Sequence, residues 1–280
     1  MKLFQGRELV VATKHKKESV IAPALEAALG VTCSVDADLD TDQFGTFTGE
    51  IERGDDPIGA ARNKCLAAMD RTGCDLAVAS EGSFGPHPTL FCAPADDEIV
   101  LLIDKLNSLE ILGRELSLST NFNGQAVQNP EELLAFAEKA RFPTHSLIIR
   151  DKKDSRHFIV KGIDRKSQLI EAFSRALEIY GSAFVETDMR ALYNPTRMGV
   201  IRQAVHNLID KAYSTCPKCS TPGFAVTEIR PGLPCGLCSL PTRSALFHVY
   251  VCAKCGFIYE DKFPIRLTVE NPMYCDYCNP

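Results

Sequence analysis

Asp75-Leu76-Ala77-Val78-Ala79-Ser80-Glu81-Gly82 is the stretch that decides the fold. Its apolar run shows no polar alternation, so both faces are covered, as in an interior strand of an α/β sheet. The composition buries residues 75–80, and the strand is expected to end at Glu81-Gly82-Ser83-Phe84-Gly85. Upstream, Asp56-Pro57 caps a helix to about residue 71, with Ile58, Ala61, Cys65, Leu66 and Met69 on its apolar arc. At about 100° per residue Arg62 falls inside that arc and needs a partner, while Asn63 lies on the flank. Earlier still, a strand at 8–13 leads through a basic turn into a helix stopped by Gly30, and residues 31–35 form a second strand. Downstream, extended stretches near 98–104 and 109–120 read as a hairpin. Helices follow at 130–140, after Asp164 and from Asn194-Pro195, with strands at 146–150, 157–161 and 183–186. Alternation first and hairpins later predict an α/β domain over 1–212, a mixed twisted sheet flanked by helices.

Residues 213–280 read differently. Four Cys-x-x-Cys pairs stand there: Cys216/Cys219, Cys235/Cys238, Cys252/Cys255 and Cys275/Cys278. Each pair puts two thiolates on one side of a tight knuckle, and two knuckles complete a tetrahedral shell, so eight thiolates fit two structural Zn²⁺ sites in a zinc-ribbon domain. The simplest pairing of knuckles is sequential; an interleaved one, first with third and second with fourth, also fits the spacing. Gly223, Gly232, Gly236 and Gly256 offer the backbone freedom of such turns. Cys33, Cys65, Cys74 and Cys92 are isolated and read as small apolar residues.

The formal net charge of −5 gives no global field toward nucleic acid or anionic membranes. No apolar run reaches membrane-spanning length, and the first residues meet charge before any signal-peptide core forms, so a cytoplasmic protein is expected. Within 213–280, six Lys and Arg stand against five Asp and Glu, which disfavours phosphate-tracking nucleic-acid binding through the ribbons. Packing against the large domain, or across a homodimer, is the preferred role of the zinc module.

Sheets of this kind gather ligands at the carboxyl ends of their strands. Three polar segments should converge there. The turn Thr13-Lys14-His15-Lys16-Lys17 precedes a helix and suits a phosphate chain, or is simply solvated. Glu50 and Glu52, ahead of the helix bearing Arg62, Asn63 and Lys64, could take Mg²⁺ or form surface ion pairs. Glu81, straight after the buried strand and followed by glycines, is the leading single candidate. A further patch, Glu186, Asp188, Arg190, Asn194 and Arg197, could close the same cleft or lock the last helix as an ion-pair network.

Val11-Ala12-Thr13-Lys14-His15, Ala60-Ala61-Arg62-Asn63-Lys64-Cys65 and residues 75–82 together resemble the inosine/xanthosine triphosphatase branch of the non-canonical nucleotide pyrophosphatases over residues 8–85. The departures are His15, where that family has Asn, and a longer stretch at 40–56. The resemblance implies that Lys14 and Lys17 hold a triphosphate with support from Arg62; His15, Asn63 and Arg190 are further candidate phosphate contacts. It implies that Glu52 and Glu81 hold Mg²⁺ for in-line attack by water. The whole chain, ending Cys275-Asp276-Tyr277-Cys278-Asn279-Pro280, also resembles an uncharacterised bacterial family defined only as a domain of unknown function. The function expected is Mg²⁺-dependent hydrolysis of a nucleoside triphosphate or related phosphorylated small molecule. The alternative is a nucleotide sensor, or a zinc-ribbon adaptor for RNA or protein.

Overall fold

The computed structural model describes residues 3–36, 38–39 and 56–280. The chain divides into two compact units, Met1–Ile209 and Asp210–Pro280. Among the described residues no helix is long and apolar enough to cross a membrane.

In the first unit, β1 (Glu8–Ala12) lies parallel between β2 (Thr32–Val35) and β3 (Leu76–Pro86). β4 (Pro94–Asp104) and β5 (Leu109–Ser117) extend the sheet antiparallel, in the order β2-β1-β3-β4-β5. The parallel part arises from two crossover helices. The first, α1 (Glu18–Leu29), buries Ile21, Leu25 and Leu29 and stops at Gly30, whose φ of 70° only glycine adopts cheaply. The second, α2 (Pro57–Thr72), starts where the Asp56 side chain accepts the Gly59 N–H at 2.8 Å with Pro57 in the first turn. It sets Ala61, Cys65, Ala68 and Met69 on Val10, Ala12, Ala77, Ala79, Ile99, Leu101 and Ile103. Alanines on both sides let helix and sheet approach closely, as interior packing demands.

Two readings of this region need correction. Arg62 does not point inward. Its side chain is 41% exposed and grips Glu110 of β5 with two hydrogen bonds, 2.9 and 2.8 Å. The buried face is turned toward Ala60, Ala61, Lys64, Cys65 and Ala68, so Lys64 is the cation it encloses. Nor does the strand end at Ser80. β3 runs on to Pro86, paired residue for residue with β4 from Leu76↔Asp104 to Pro86↔Pro94. Glu81 and Gly82 are therefore ladder residues rather than a loop, because β4 begins early enough to supply their hydrogen bonds.

The remaining strands of this unit form a second sheet instead of extending the first. β6 (Gly124–Val127), β7 (Leu147–Arg150), β8 (Ile159–Ile163) and β9 (Ala183–Thr187) are antiparallel in the order β6-β9-β7-β8. α3 (Pro130–Lys139) and α4 (Lys166–Tyr180) cover it, with Leu133, Phe136, Leu169 and Phe173 packed among Leu147, Ile149 and Val185. The last helix, α5 (Pro195–Tyr213), returns to the first sheet. A Cβ at Gly113 of β5 would stand 2.2 Å from the Ala204 carbonyl and 2.6 Å from Leu208 Cβ, so glycine is what admits the helix there.

The second unit is a three-stranded antiparallel sheet, β10 (Val226–Pro231), β11 (Ala245–Val251) and β12 (Ile258–Lys262), in that order. Phe224 packs with Tyr250, Phe257 and the cysteines Cys216, Cys252 and Cys255.

Candidate functional site

β1 stops at Ala12, opposite Ala79. From Ser80 onward β3 has no β1 neighbour, so the Ser80 carbonyl needs another donor. Lys17, at the start of α1, supplies it: its Nζ lies 3.3 Å from Ser80 O. Burial pulls the Lys17 ammonium down to about 8; Arg197 adds repulsion, and Glu98 and Glu81 oppose the shift.

Charged groups lie on both faces of β3 beside this lysine. On the α2 face Glu81, 6% exposed, is ion-paired with Lys64. On the α5 face Gly82 stands opposite Glu98, and Phe84 opposite Asp96. Glu98 and Asp96 are 0% and 1% exposed. Arg197 enters from the first turn of α5, whose Asn194 side chain accepts the Arg197 N–H at 3.0 Å. Its Nε lies 2.5 Å from Glu98 Oε1, its Nη1 2.5 Å from Met189 O, and its guanidinium 5.0 Å from the Phe84 ring centroid. A Cβ at Gly82 would come within 2.2 Å of Glu98 Oε1 and 2.5 Å of Arg197 Nη2, so the pair occupies the room glycine leaves. Burial, reinforced by the adjacent Glu98, pushes the Asp96 carboxyl up to about 8. Three buried cations thus face three buried acids, an uncommon density for a surface-to-core ionic pattern.

The structure brings Lys17 and Glu81 into this cluster. Lys14 and His15 lie part-exposed in the turn ahead of Lys17, with His15 at φ 64°. Asn63 is exposed on α2, and Arg62 is engaged with Glu110. Arg190 holds Asp188 at 2.6 Å and stacks 4.5 Å over Tyr193, while Arg197 pairs with Glu98 rather than extending that pair. Glu50 and Glu52 lie outside the described residues. Sequence reasoning did not single out Lys64, Asp96 or Glu98. For the two acids a partial signal existed: Asp96 and Glu98 alternate on one face of Pro94–Asp104, a strand that is apolar on both faces from Ile99 to Ile103.

The eight cysteines form two quartets, Cys216/Cys219/Cys252/Cys255 and Cys235/Cys238/Cys275/Cys278. Sγ–Sγ separations are 3.7 Å for Cys216–Cys255, 3.5 Å for Cys219–Cys252, 3.8 Å for Cys235–Cys278 and 3.7 Å for Cys238–Cys275. Four sulfurs at about 2.3 Å from a tetrahedral Zn²⁺ stand about 3.8 Å apart, so both quartets are compatible with zinc. In the second quartet the backbone N–H groups of Cys238 and Leu237 pull the Cys235 thiol down to about 7, while its side-chain bond to Cys238 pushes Cys278 up to about 12. Thiols this close share protons until a cation replaces them.

The pairing is interleaved, not sequential. β10 and β11 are antiparallel, so the knuckle before β10 meets the knuckle after β11 at one end of the sheet. β12 then carries the chain back, and the fourth knuckle joins the second. The left-handed residue after a knuckle is Ser220 (φ 57°), Ser239 (φ 62°) or Gly256 (φ 67°). Of the four glycines noted, Gly256 alone sits at that position.

A family model described as a domain of unknown function, DUF6671, matches residues 64–280. A search of curated proteins finds no match. Among solved structures, protein VC0702 from Vibrio cholerae is similar at 11% identity, with a TM-score of 0.34, over 73% of this chain and 94% of that one. A likeness at that score carries no argument.

Proposed function

Because the chain belongs to the DUF6671 family, whose description gives no activity, its role is read from its own residues, and we propose Mg²⁺-dependent hydrolysis of a nucleoside triphosphate or related phosphorylated small molecule. The observation that supports this reading is the buried ionic cluster at the carboxyl end of β1. Lys17 and Glu81 are both buried, and Lys17 titrates near neutral pH. Apolar side chains would stabilise such an interior as well or better, so retained buried charge points to use. In this reading Lys17, with Lys14 and His15 of the same turn, meets the phosphate chain at the start of α1. Glu81, held by Lys64, is the reacting-site carboxylate and, with Glu52, faces the metal. Mg²⁺ supplies charge neutralisation on the phosphoryl oxygens.

The two zinc quartets are proposed as structural, since all four ligand positions are filled by cysteine and none is left for substrate. Eight thiols kept for metal fit a reducing compartment, so the proposed location is the cytoplasm. A second reading, a zinc-ribbon adaptor for a protein, is supported by Leu237, Met273, Tyr274 and Tyr277, exposed on the segments that carry the second quartet.

The test is release of phosphate or pyrophosphate by zinc-replete protein with Mg²⁺ across a panel of nucleoside triphosphates and sugar phosphates. Turnover on at least one of them is expected, lost in Glu81→Gln with zinc still at two per chain. Absence of turnover throughout the panel overturns the enzyme reading. Salt-sensitive retention of RNA, or a thermal shift without turnover, would move the assignment to a binding module.

A further inference from the structure

The four knuckles of the second unit share a Cys-x-x-Cys frame but not the chemistry of its third residue. That residue is Lys218 or Lys254 in the first quartet and Leu237 or Tyr277 in the second, and all four are exposed. Zinc coordination asks nothing of this position, since the thiolates alone are the ligands. Lysine suits a knuckle that faces water. In the second quartet both knuckles instead present apolar side chains, 73% and 68% exposed. Neighbouring segments enlarge this surface. The Gly236 N–H donates to Glu270 O at 2.9 Å, and a Cβ at Gly236 would meet Val269 Cγ2 at 3.6 Å, so Val269 lies beside the second knuckle. Exposed Met273 and Tyr274 belong to a 3-10 turn, Pro272–Tyr274, that runs straight into Cys275. The Met273 carbonyl accepts from Asn279 Nδ2 at 2.9 Å, just past Cys278, which ties that turn to the fourth knuckle.

Size and charge restrict what covers this patch. Tyr274, 62% exposed, and Tyr277 together present about 200–300 Å². With Leu237, Val269 and Met273 the patch reaches about 400–600 Å², as large as the largest on a typical monomer. That is most of the ~800 Å² each partner gives to a standard interface, and a polar rim supplies the rest. The rim carries one charge of each sign: Arg243 Nε lies 2.9 Å from Asp276 Oδ2, with the two side chains 86% and 56% exposed. So exposed a pair contributes little within one chain. An isologous contact sets a patch against the same patch of another copy, so the patch must complement itself. This one does: apolar side chains meet apolar side chains, and a two-fold axis sets the arginine of each copy against the aspartate of the other. A rim without net charge selects neither a basic nor an acidic partner.

We propose that the second-quartet end of the zinc module is the interface of a homodimer. Leu237, Met273, Tyr274 and Tyr277 pack against a second copy of the chain, and Arg243 and Asp276 exchange partners across the two-fold axis. The first-quartet end, with Lys218 and Lys254, stays in solvent. This gives to a second copy the surface that also supports the adaptor reading. It is independent of the hydrolase reading, since no residue of the buried ionic cluster takes part.

The experiment is sedimentation equilibrium of zinc-replete full-length protein. A species of twice the 30.8 kDa chain mass is expected at micromolar concentration. Leu237→Ser with Tyr277→Ser should weaken the dimer about a hundredfold or more, with zinc still at two per chain. Lys218→Ser with Lys254→Ser should leave it unchanged. Arg243→Asp alone and Asp276→Arg alone should each weaken it about tenfold or more, because like charges then face each other across the axis. An equimolar mixture of those two variants should recover the dimer, which an ion pair internal to one chain cannot bring about. The mixture decides the matter if the doubly substituted apolar variant does not fold. A wild type that stays monomeric at every concentration overturns the proposal and leaves the patch to a different protein. A dimer that withstands Leu237→Ser with Tyr277→Ser, or a mixture no more dimeric than its two components, overturns it too. Turnover of phosphorylated substrates, present or absent, leaves these masses unmoved, so this proposal and the hydrolase reading fail separately.

Discussion

Gly82→Ala is expected to destabilise the first unit although the same change elsewhere in a strand stabilises. Replacing a strand glycine whose φ is not positive normally gains about 0.5–1 kcal/mol through lower backbone entropy in the unfolded chain. At residue 82 the new Cβ would lie 2.2 Å from Glu98 Oε1 and 2.5 Å from Arg197 Nη2, well inside contact distance, so the carboxylate must move. Its bond to Arg197 Nε, now 2.5 Å, cannot survive that displacement. Breaking a buried pair costs about 3–5 kcal/mol, so the net loss is about 2–4 kcal/mol. Gly85→Ala is the control: it lies on the same strand, and a Cβ there meets nothing within 4 Å. The assay is urea unfolding followed by far-ultraviolet circular dichroism at fixed zinc, which reads the helices α1 to α4 of the first unit. Equal midpoints for Gly82→Ala and Gly85→Ala would refute the placement of the ion pair over Gly82.

The other expectations can be checked separately. The raised Asp96 pKa means that the native state keeps a proton the unfolded chain has lost, so its stabilisation is complete below about pH 4 and is lost as pH rises toward 8. Stability of the first unit should fall over that range by up to about 1.4 kcal/mol per pH unit, and Asp96→Asn should flatten the slope in urea melts. Lys17 has the opposite sign: its lowered pKa withdraws stability as pH falls through about 8, so Lys17→Met should gain on the wild type below pH 8 in the same melts. Interleaved zinc quartets predict that Cys219→Ser with Cys252→Ser loses one zinc, whereas Cys219→Ser with Cys235→Ser loses both; metal analysis under sequential pairing would give the reverse. Arg62→Ala breaks a half-exposed pair with Glu110 and should change the unfolding free energy by no more than about 1 kcal/mol in urea melts.

Much of the fold was legible because it follows from local rules. The unalternating run at 75–80 announces an interior strand, Asp56-Pro57 starts α2, and Gly30 ends α1. The four Cys-x-x-Cys pairs announce metal-compatible knuckles by spacing alone. What was not legible depends on partners distant in sequence. β3 runs past Ser80 only because β4 starts at Pro94, and nothing in residues 81–86 says so. Arg62 turns outward because Glu110 waits on β5, forty-eight positions away. Interleaving of the knuckles is set by the antiparallel β10–β11 pair, whereas spacing fits either arrangement. β6 escaped because Gly124-Gln125-Ala126-Val127 is exposed at three of four residues and has no apolar pattern. For the acids of β4 the alternation was visible but the burial was not: it is decided by α5, which covers them from the far end of the unit.

The central claim is that the buried charges around β3 serve a ligand rather than stability. The most direct measurement is the melting-temperature shift produced by Mg²⁺ with a non-hydrolysable nucleoside triphosphate, in the wild type and in the double variant Lys64→Met with Glu81→Leu. Replacing a buried ion pair by apolar side chains of similar volume is often neutral or stabilising. The account predicts a double variant that melts no lower than the wild type and has lost the ligand-induced shift the wild type shows. A variant that melts well below the wild type yet keeps the full shift would contradict it.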